Sequence, residues 1–211
     1  MIKEAIILAG GLGTRLRSVV SDVPKCMAPV AGKPFLYYLI EFLQKNGIEK
    51  FIFSVGYLHE VIEEYLYKNY QQLHYKISLE TEPMGTGGAI KLAVKKTSQK
   101  NVLVCNGDTF YKIEVDLLDK FHHQNNAACS LCLKPMYNFD RYGAVELNED
   151  LSIKSFKEKK FYSYGLINGG MYALNIPEFL KENLPEKFSF EKDYLEKNVE
   201  MDKKSKLYGM I

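Results

Sequence analysis

Four short apolar runs, each closed by a loop carrying Gly, Asp or Glu, constrain this chain more than any other feature. They read "EAIILA" (residues 4–9), "KFIFSV" (Lys50–Val55), "YKISLE" (residues 75–80) and "NVLVCN" (Asn101–Asn106). Helical spacing separates them. Over 35–46, Pro34 sits at the first turn, Phe35, Leu36, Leu39, Ile40 and Leu43 form the apolar stripe, and Gly47 is the stop. Over 58–70, Val61, Ile62, Tyr65 and Leu66 share a face. "TGGAIKLAVKKT" opens a third helix after a Gly-rich loop. The order β-α-β-α-β-α-β predicts an α/β fold of three layers, αβα, around a mostly parallel mixed sheet. Ligands of such sheets sit at the carboxyl ends of the strands. Three loops lie there: Gly10 to Lys25, Glu82 to Gly88, and Gly107-Asp108.

The second half changes character. Shorter strands are expected at "ACSLCLK", "GAVEL", "SIKSFKE" and "GGMYAL", with helices over 176–182 and 191–199. No Gly/Ser or Pro-rich linker and no repeat divides the chain. The 211 residues, 46% hydrophobic, suit a single domain over 1–211. Its nucleotide-binding half covers about 1–125 and its acceptor half about 126–211. Lys plus Arg number 28 against 26 Asp plus Glu, a net charge of +2. That balance carries no electrostatic footprint for nucleic acid. No apolar run is long enough for a membrane, and "MIKEAIILAGG" is too short for a signal peptide and enters a strand. A cytoplasmic protein is expected. "CSLC" (Cys129, Cys132) has redox or zinc spacing but no matching second pair. On a strand, residues three apart face opposite sides, so these cysteines, with Cys26 and Cys105, read as buried thiols.

The loop after the first strand, "LAGGLGTRLRSVVSDVPK", is a phosphate loop of neither common type. A P-loop needs Lys followed by Ser or Thr after its last glycine, but Thr14-Arg15 follow Gly13. The dinucleotide fingerprint needs a third glycine where Leu16 stands. The physical content is nevertheless that of an anion site. Gly10, Gly11 and Gly13 lack Cβ atoms, so a base or phosphate can lie against the backbone. Successive N–H groups make an anion-binding concavity. Arg15 supplies a planar, permanent charge. Pro24 stiffens the approach to Lys25.

"LAGGLGTRL" followed by "PKCMAPVAGKP" resembles the sugar-1-phosphate nucleotidyltransferases, whose signature is a G-T-R-L loop, then P-K, then a G-K-P step into a helix. The resemblance implies a Rossmann-like, GT-A-like domain. It also implies a reaction in which a sugar-1-phosphate oxygen attacks the α-phosphorus of a nucleoside triphosphate and releases pyrophosphate. Arg15 would grip the triphosphate and Lys25 would bridge the two reacting phosphates, as in-line phosphoryl chemistry requires. Leu8, Ala9, Gly10, Gly11, Gly13 and Thr14 would line the nucleotide. Asp108 in "CNGD" would bind Mg²⁺ together with substrate phosphates. The family's second carboxylate comes from a late D-x-G-x-P segment, which this chain, ending at "LYGMI", does not contain.

"ETEPMGTGGAI" resembles the base-recognition loop, with Glu82, Gly87 and Gly88 at the base. A carboxylate accepts hydrogen bonds only. Guanine offers adjacent N1–H and N2–H₂ donors, whereas uracil and thymine offer one N3–H between two carbonyls. GTP is therefore the expected donor if Glu82 faces the base edge; the alternative is that Glu82 caps the following helix. In the acceptor half, "RYGAVEL" resembles the step that places Gly143 at the sugar. "FKEKK" resembles the E-K-P element, with Glu158 on hydroxyls, Lys159 on the sugar phosphate and Lys160 in place of the Pro. "LINGGMYAL" resembles the N-x-G step of Asn168 and Gly169. Taken over the whole chain, the likeness is to the branch acting on D-glycero-α-D-manno-heptose 1-phosphate for surface polysaccharides. Mannose-1-phosphate guanylyltransferases, glucose-1-phosphate thymidylyl- or uridylyltransferases and non-catalytic nucleotide-sugar-binding paralogues are the competing readings. Retention of Arg15, Lys25 and Asp108 favours an enzyme over the last of these.

Overall fold

The computed structural model describes residues 1–11, 23–201 and 206–211. In chain order the elements are β1 (Glu4–Leu8), a hairpin β2 (Pro29–Val30) and β3 (Lys33–Pro34), α1 (Phe35–Lys45), β4 (Lys50–Val55), α2 (His59–Asn69), β5 (His74–Leu79), α3 (Gly85–Ala93) and β6 (Asn101–Asn106). Then follow α4 (Val115–Gln124), β7 (Cys129–Phe139), β8 (Val145–Leu147), β9 (Ile153–Phe156), β10 (Tyr162–Asn175), α5 (Ile176–Lys181), a π-helical turn (Phe190–Glu196), α6 (Lys197–Glu200) and β11 (Leu207–Met210).

The main sheet runs β11-β7-β10-β6-β1-β4-β5, with β8 on β10 and β9 on β8. β6, β1, β4 and β5 are mutually parallel. β10 lies antiparallel to both β6 and β7. The single sheet therefore passes through both halves of the chain. Leu8 is level with Ser54 on one side and Asn106 on the other, so the loops leaving β1, β4 and β6 start from one line. The chain leaves β1 through α1 to β4 on one flank, while β6 occupies the other. That divergence is the switch point at which open α/β sheets hold ligands.

Strand alternation sorts the core into two faces. Ala5, Ile7, Phe51, Phe53, Leu103 and Cys105 face α1, α2 and α4. Ile6, Ile52, Val102, Val104 and Tyr172 face α3, α5 and the π turn. Helices thus cover both sides, giving the three expected layers. Cys132 belongs to the first face and Cys129 to the second, as their spacing requires. All four cysteines are free and buried, and burial pushes each thiol up from its ordinary range.

The helix over 35–46 ends as its sequence dictates. Gly47 takes φ +83, and Ile48 N donates back to Leu43 O at 3.0 Å. Elsewhere the structure adds elements. α4 and β11 fall where no strand or helix was expected, and "GGMYAL" is only the last part of a 14-residue strand. β10 runs long because β7 pairs with it from Tyr162 to Leu174, far beyond the reach of β6. The helix expected over 191–199 is a π turn followed by a short α-helix. Ser189 holds its start: Ser189 Oγ accepts from Lys192 N at 3.2 Å, and Ser189 N donates to Asp193 Oδ2 at 2.9 Å. Among the described residues, no helix is long and apolar enough to cross a membrane.

Candidate active site

The site is built where β1, β4, β5 and β6 end. Ala9 N donates to Ser54 O at 2.7 Å and Gly107 N to Leu8 O at 2.9 Å, so the three strand exits are stitched together. Leu8 is half-buried and Ala9 buried. The stitching leaves no room for side chains. A Cβ on Gly10 would lie 2.6 Å from Glu80 Oε1 and 3.2 Å from Gly56 N, and one on Gly107 would lie 2.8 Å from Leu8 O. Gly11 differs: among the described residues nothing stands within 4 Å of its Cβ position. Gly13, Thr14 and Arg15 lie outside the described residues.

The chain re-enters at Pro24, which has φ −57 and ψ 148. The tight turn Lys25–Met27 follows, closed by Met27 N donating to Pro24 O at 2.8 Å and anchored by buried Cys26 and Met27. With its two neighbours held in the core, Lys25 is the residue left to reach outward. Its Nζ donates to Asp108 Oδ2 in an ion pair. The two side chains are 40% and 35% exposed, so the pair opens onto solvent beyond the ends of β1 and β6. Asp108 Oδ1 accepts from Thr109 Oγ1 at 3.3 Å. Two residues 83 apart in sequence, each singled out by its own motif, therefore meet.

The third loop places its residues differently. Glu82 is exposed and paired with Lys187 at 2.6 Å. Gly87 and Gly88 are buried against the 186–188 segment. Both N–H groups point to Phe188 O, at 3.0 and 3.4 Å. A Cβ on Gly87 would fall 2.1 Å from the Phe188 ring, and one on Gly88 would fall 2.3 Å from Glu186 O. Close approach is indeed what these glycines permit, and the chain itself makes it. The carboxylate beside the Gly10 loop is Glu80. Its Oε1 accepts from Ser54 Oγ at 3.4 Å and its Oε2 from Met84 N at 3.2 Å. Burial raises its carboxyl from the ordinary range, against the lowering effect of those two donors. Glu80 lies two residues before Glu82 in the same segment, and spacing alone does not distinguish the two carboxylates.

In the second half of the chain, β10 loses register with β7 between Asn168 and Tyr172. At this bulge Asn168 Oδ1 accepts from Gly170 N and Asn168 Nδ2 donates to Tyr172 Oη, both at 2.9 Å. Gly170 has φ +70, and a Cβ there would stand 2.8 Å from Asn106 Nδ2. A Cβ on Gly169 would stand 2.9 Å from Cys132 O. The bulge thus sits against the end of β6, two residues before Asp108. Gly143 admits Lys157 O, 2.3 Å from its Cβ position. Glu158 and Lys159 are exposed in the loop between β9 and β10, where Tyr162 Oη donates to Glu158 O at 2.9 Å.

Among the described residues, no cluster of three or more His, Cys, Asp or Glu side chains is arranged to hold a metal. Asp108 does fit the lesser demand of Mg²⁺, which needs one or two carboxylates beside substrate phosphates. It is partly exposed, faces the crevice and already holds a cationic group, the Lys25 ammonium. Two surface clefts lie away from this pair. One, of 310 Å³, is formed by Phe42, Tyr111, Leu117 and Met210, and the other, of 350 Å³, by Leu184, Lys187 and Met201.

Comparison with known proteins identifies the family. A D-glycero-alpha-D-manno-heptose 1-phosphate guanylyltransferase of Aneurinibacillus thermoaerophilus is 49% identical over 208 residues, 99% of this chain and 89% of that protein. One of Campylobacter jejuni is 47% identical over 195 residues, 92% of this chain and 86% of that protein. The crystal structure of HddC from Yersinia pseudotuberculosis superimposes with a TM-score of 0.86 at 34% identity, covering 99% of this chain and 90% of that one. The same protein complexed with GMP-PN gives 0.85 at 33% identity, with the same coverage. The family model for nucleotidyl transferases matches residues 4–209, spanning all three strand-end loops and the β10 bulge, and the chain belongs to that family.

Proposed function

We propose that this enzyme transfers a guanylyl group from GTP to a sugar 1-phosphate, with D-glycero-α-D-manno-heptose 1-phosphate as acceptor. The products are the GDP-sugar, a precursor for surface polysaccharide, and pyrophosphate. The observation that carries the reading is the meeting of Lys25 and Asp108 at the β1/β6 switch point. A phosphate oxygen of the acceptor attacks the α-phosphorus of the donor, and the bond from that phosphorus to the pyrophosphate oxygen breaks. Both reactants are anions, so the reaction needs fixed positive charge and alignment. Lys25 supplies the charge between the phosphates, released from Asp108 as they enter. Mg²⁺, bound by Asp108 and the substrate phosphates, would neutralise further negative charge there. Arg15, outside the described residues, is assigned to the triphosphate, and Gly11 to the surface on which the nucleotide lies. Gly143, Asn168 and Gly169 form the sugar side, with Glu158 for hydroxyls and Lys159 for the sugar phosphate. Free thiols fit a reducing compartment, and we place the enzyme in the cytoplasm.

The base reader in this proposal is Glu80. It stands beside Gly10, whereas Glu82 is turned to Lys187. The two-donor edge of guanine suits a carboxylate as before. Glu80→Gln raises KM for GTP about tenfold, the loss of one hydrogen bond to a charged group, and narrows the preference for GTP over UTP and dTTP. Glu82→Gln leaves that ranking in place. Competition assays across the three triphosphates check both, and an unchanged ranking in Glu80→Gln rejects the assignment.

The function itself is tested by a grid of triphosphates against sugar 1-phosphates with Mg²⁺, reading pyrophosphate release. Release with GTP and the heptose phosphate above all other pairs is expected. Greater release with mannose 1-phosphate, or with dTTP or UTP and glucose 1-phosphate, reassigns the substrates. No release from any pair favours a nucleotide-sugar-binding protein.

A further inference from the structure

The π turn Phe190–Glu196 touches both α3 and β10, through two consecutive side chains. Glu191 Oε2 accepts from Thr86 Oγ1 at 2.7 Å and from Ser189 Oγ at 3.1 Å. Thr86 Oγ1 in turn accepts from Phe190 N at 2.9 Å. Thr86 lies in the first turn of α3, directly after the base loop. On its other side the turn packs on the acceptor half, where the Phe190 ring meets Tyr172 edge-on with centroids 5.1 Å apart. Tyr172 is the residue whose hydroxyl takes the Asn168 amide, and the charge of Glu191 reaches that hydroxyl, adding to burial in raising its pKa. Glu191 therefore follows directly on the residue whose ring packs against Tyr172, the partner of Asn168. Its Oε2 is saturated by two hydroxyl donors, while Oε1 accepts nothing from the described residues. Glu191 itself is only partly buried. π turns are rare and concentrate at functional sites. This one aims a carboxylate that a regular helix would carry at a different angle.

We infer that Glu191 is a specificity-determining residue of the acceptor site, its free Oε1 accepting a hydroxyl of the sugar ring held at Asn168. The inference rests on the sugar 1-phosphate reading above. Charge sorting supports it. The acceptor carries a dianionic phosphate at one end and hydrogen-bond-donating hydroxyls at the other. A carboxylate repels the phosphate and accepts from the hydroxyls, so it sets which way round the sugar lies. Glu191 is built for this because Thr86 and Ser189 fix its rotamer before the sugar arrives, which reduces the ordering cost of binding.

The test is steady-state kinetics of Glu191→Gln with GTP and the sugar 1-phosphate. The acceptor KM rises about tenfold, one charge-assisted hydrogen bond, while the GTP KM and kcat stay within about twofold. Among monodeoxy sugar 1-phosphates, the analogue lacking the contacted hydroxyl shows no difference between wild type and variant. Should Glu191→Gln fail to fold, Glu191→Asp serves. It keeps the charge and withdraws it by one methylene, so the acceptor KM again rises selectively. An unchanged acceptor KM, or equal rises for acceptor and GTP, overturns the inference while wild-type turnover leaves the parent reading standing. Absence of product from the wild type with every pair overturns both.

Discussion

Lys25→Ala lowers kcat for nucleotidyl transfer by ~10²-fold or more, the effect of removing one preorganised charge-stabilising group, and barely moves Tm. Both halves of that statement follow from the ion pair. Lys25 and Asp108 are each more than a third exposed. A pair so placed contributes about 0–1 kcal/mol to stability, and the turn bearing Lys25 is held by buried Cys26 and Met27 rather than by the ammonium. Catalysis loses more than a cation. With Lys25 gone, the Asp108 carboxylate faces two incoming phosphates uncompensated. Lys25→Arg does not restore the rate, because a planar fork cannot stand in for a compact ammonium between two phosphates. Asp108→Asn lowers kcat by a comparable factor, and the double variant loses less than the product of the single losses, since the two side chains act as a unit. Single-turnover rates with GTP, alongside thermal melts, measure all of this. A Lys25→Ala enzyme within threefold of wild type would remove the pair from the reaction centre.

Gly88→Ala is the second large effect, and it falls on the fold. The added Cβ meets the backbone carbonyl of Glu186 at 2.3 Å and Met84 Cβ at 2.8 Å. A backbone atom cannot swing aside as a ring can, so the segment bearing Phe188 must shift. That segment is tied to the base loop by Phe188 N donating to Met84 O and Gly87 N to Phe188 O, both at 3.0 Å. Overpacking of this kind costs roughly 1–3 kcal/mol, and a chain of this size loses about 2–4 °C in Tm per kcal/mol. A drop of about 4–10 °C in a thermal melt is expected, with the GTP KM rising in parallel because Glu80 is bonded to the same loop at Met84 N. A melt unchanged within 1 °C would show that the 184–190 segment yields freely.

The nucleotide half was legible because its signals are local. Pro34 and Gly47 bracket α1, and four apolar runs identify the parallel strands. Lys25 and Asp108 were each visible as motif residues, though only the sheet order reveals that they touch. Glu82 and Glu80 mark where this reading stops. They share a loop and a charge, and what separates them is the proximity of Gly10 and the presence of Lys187, 105 residues away. The second half of the chain was less legible because its strands are defined by partners. β11 is four residues long and becomes a strand by pairing with β7, while β10 continues past its apolar stretch because β7 runs beside it. The π turn has no compositional mark. It follows from Ser189 and Asp193 closing on one another.

The bulge in β10 has a consequence for how the sheet is phased. From Asn168 to Tyr172 the strand advances four residues while β7 advances two, and pairing with β6 begins only at Met171. Everything from Tyr162 to Asn168 is thus phased by the bulge and by β7, independently of the register between β6 and β1. Loss of one residue there would exchange the two faces of that ribbon, turning Asn168 away from Tyr172 while Leu8, Asn106 and Asp108 kept their alignment. A small insertion or deletion at this joint accordingly re-phases one ribbon of the sheet while the register of β6, β1 and β4 stays as it is.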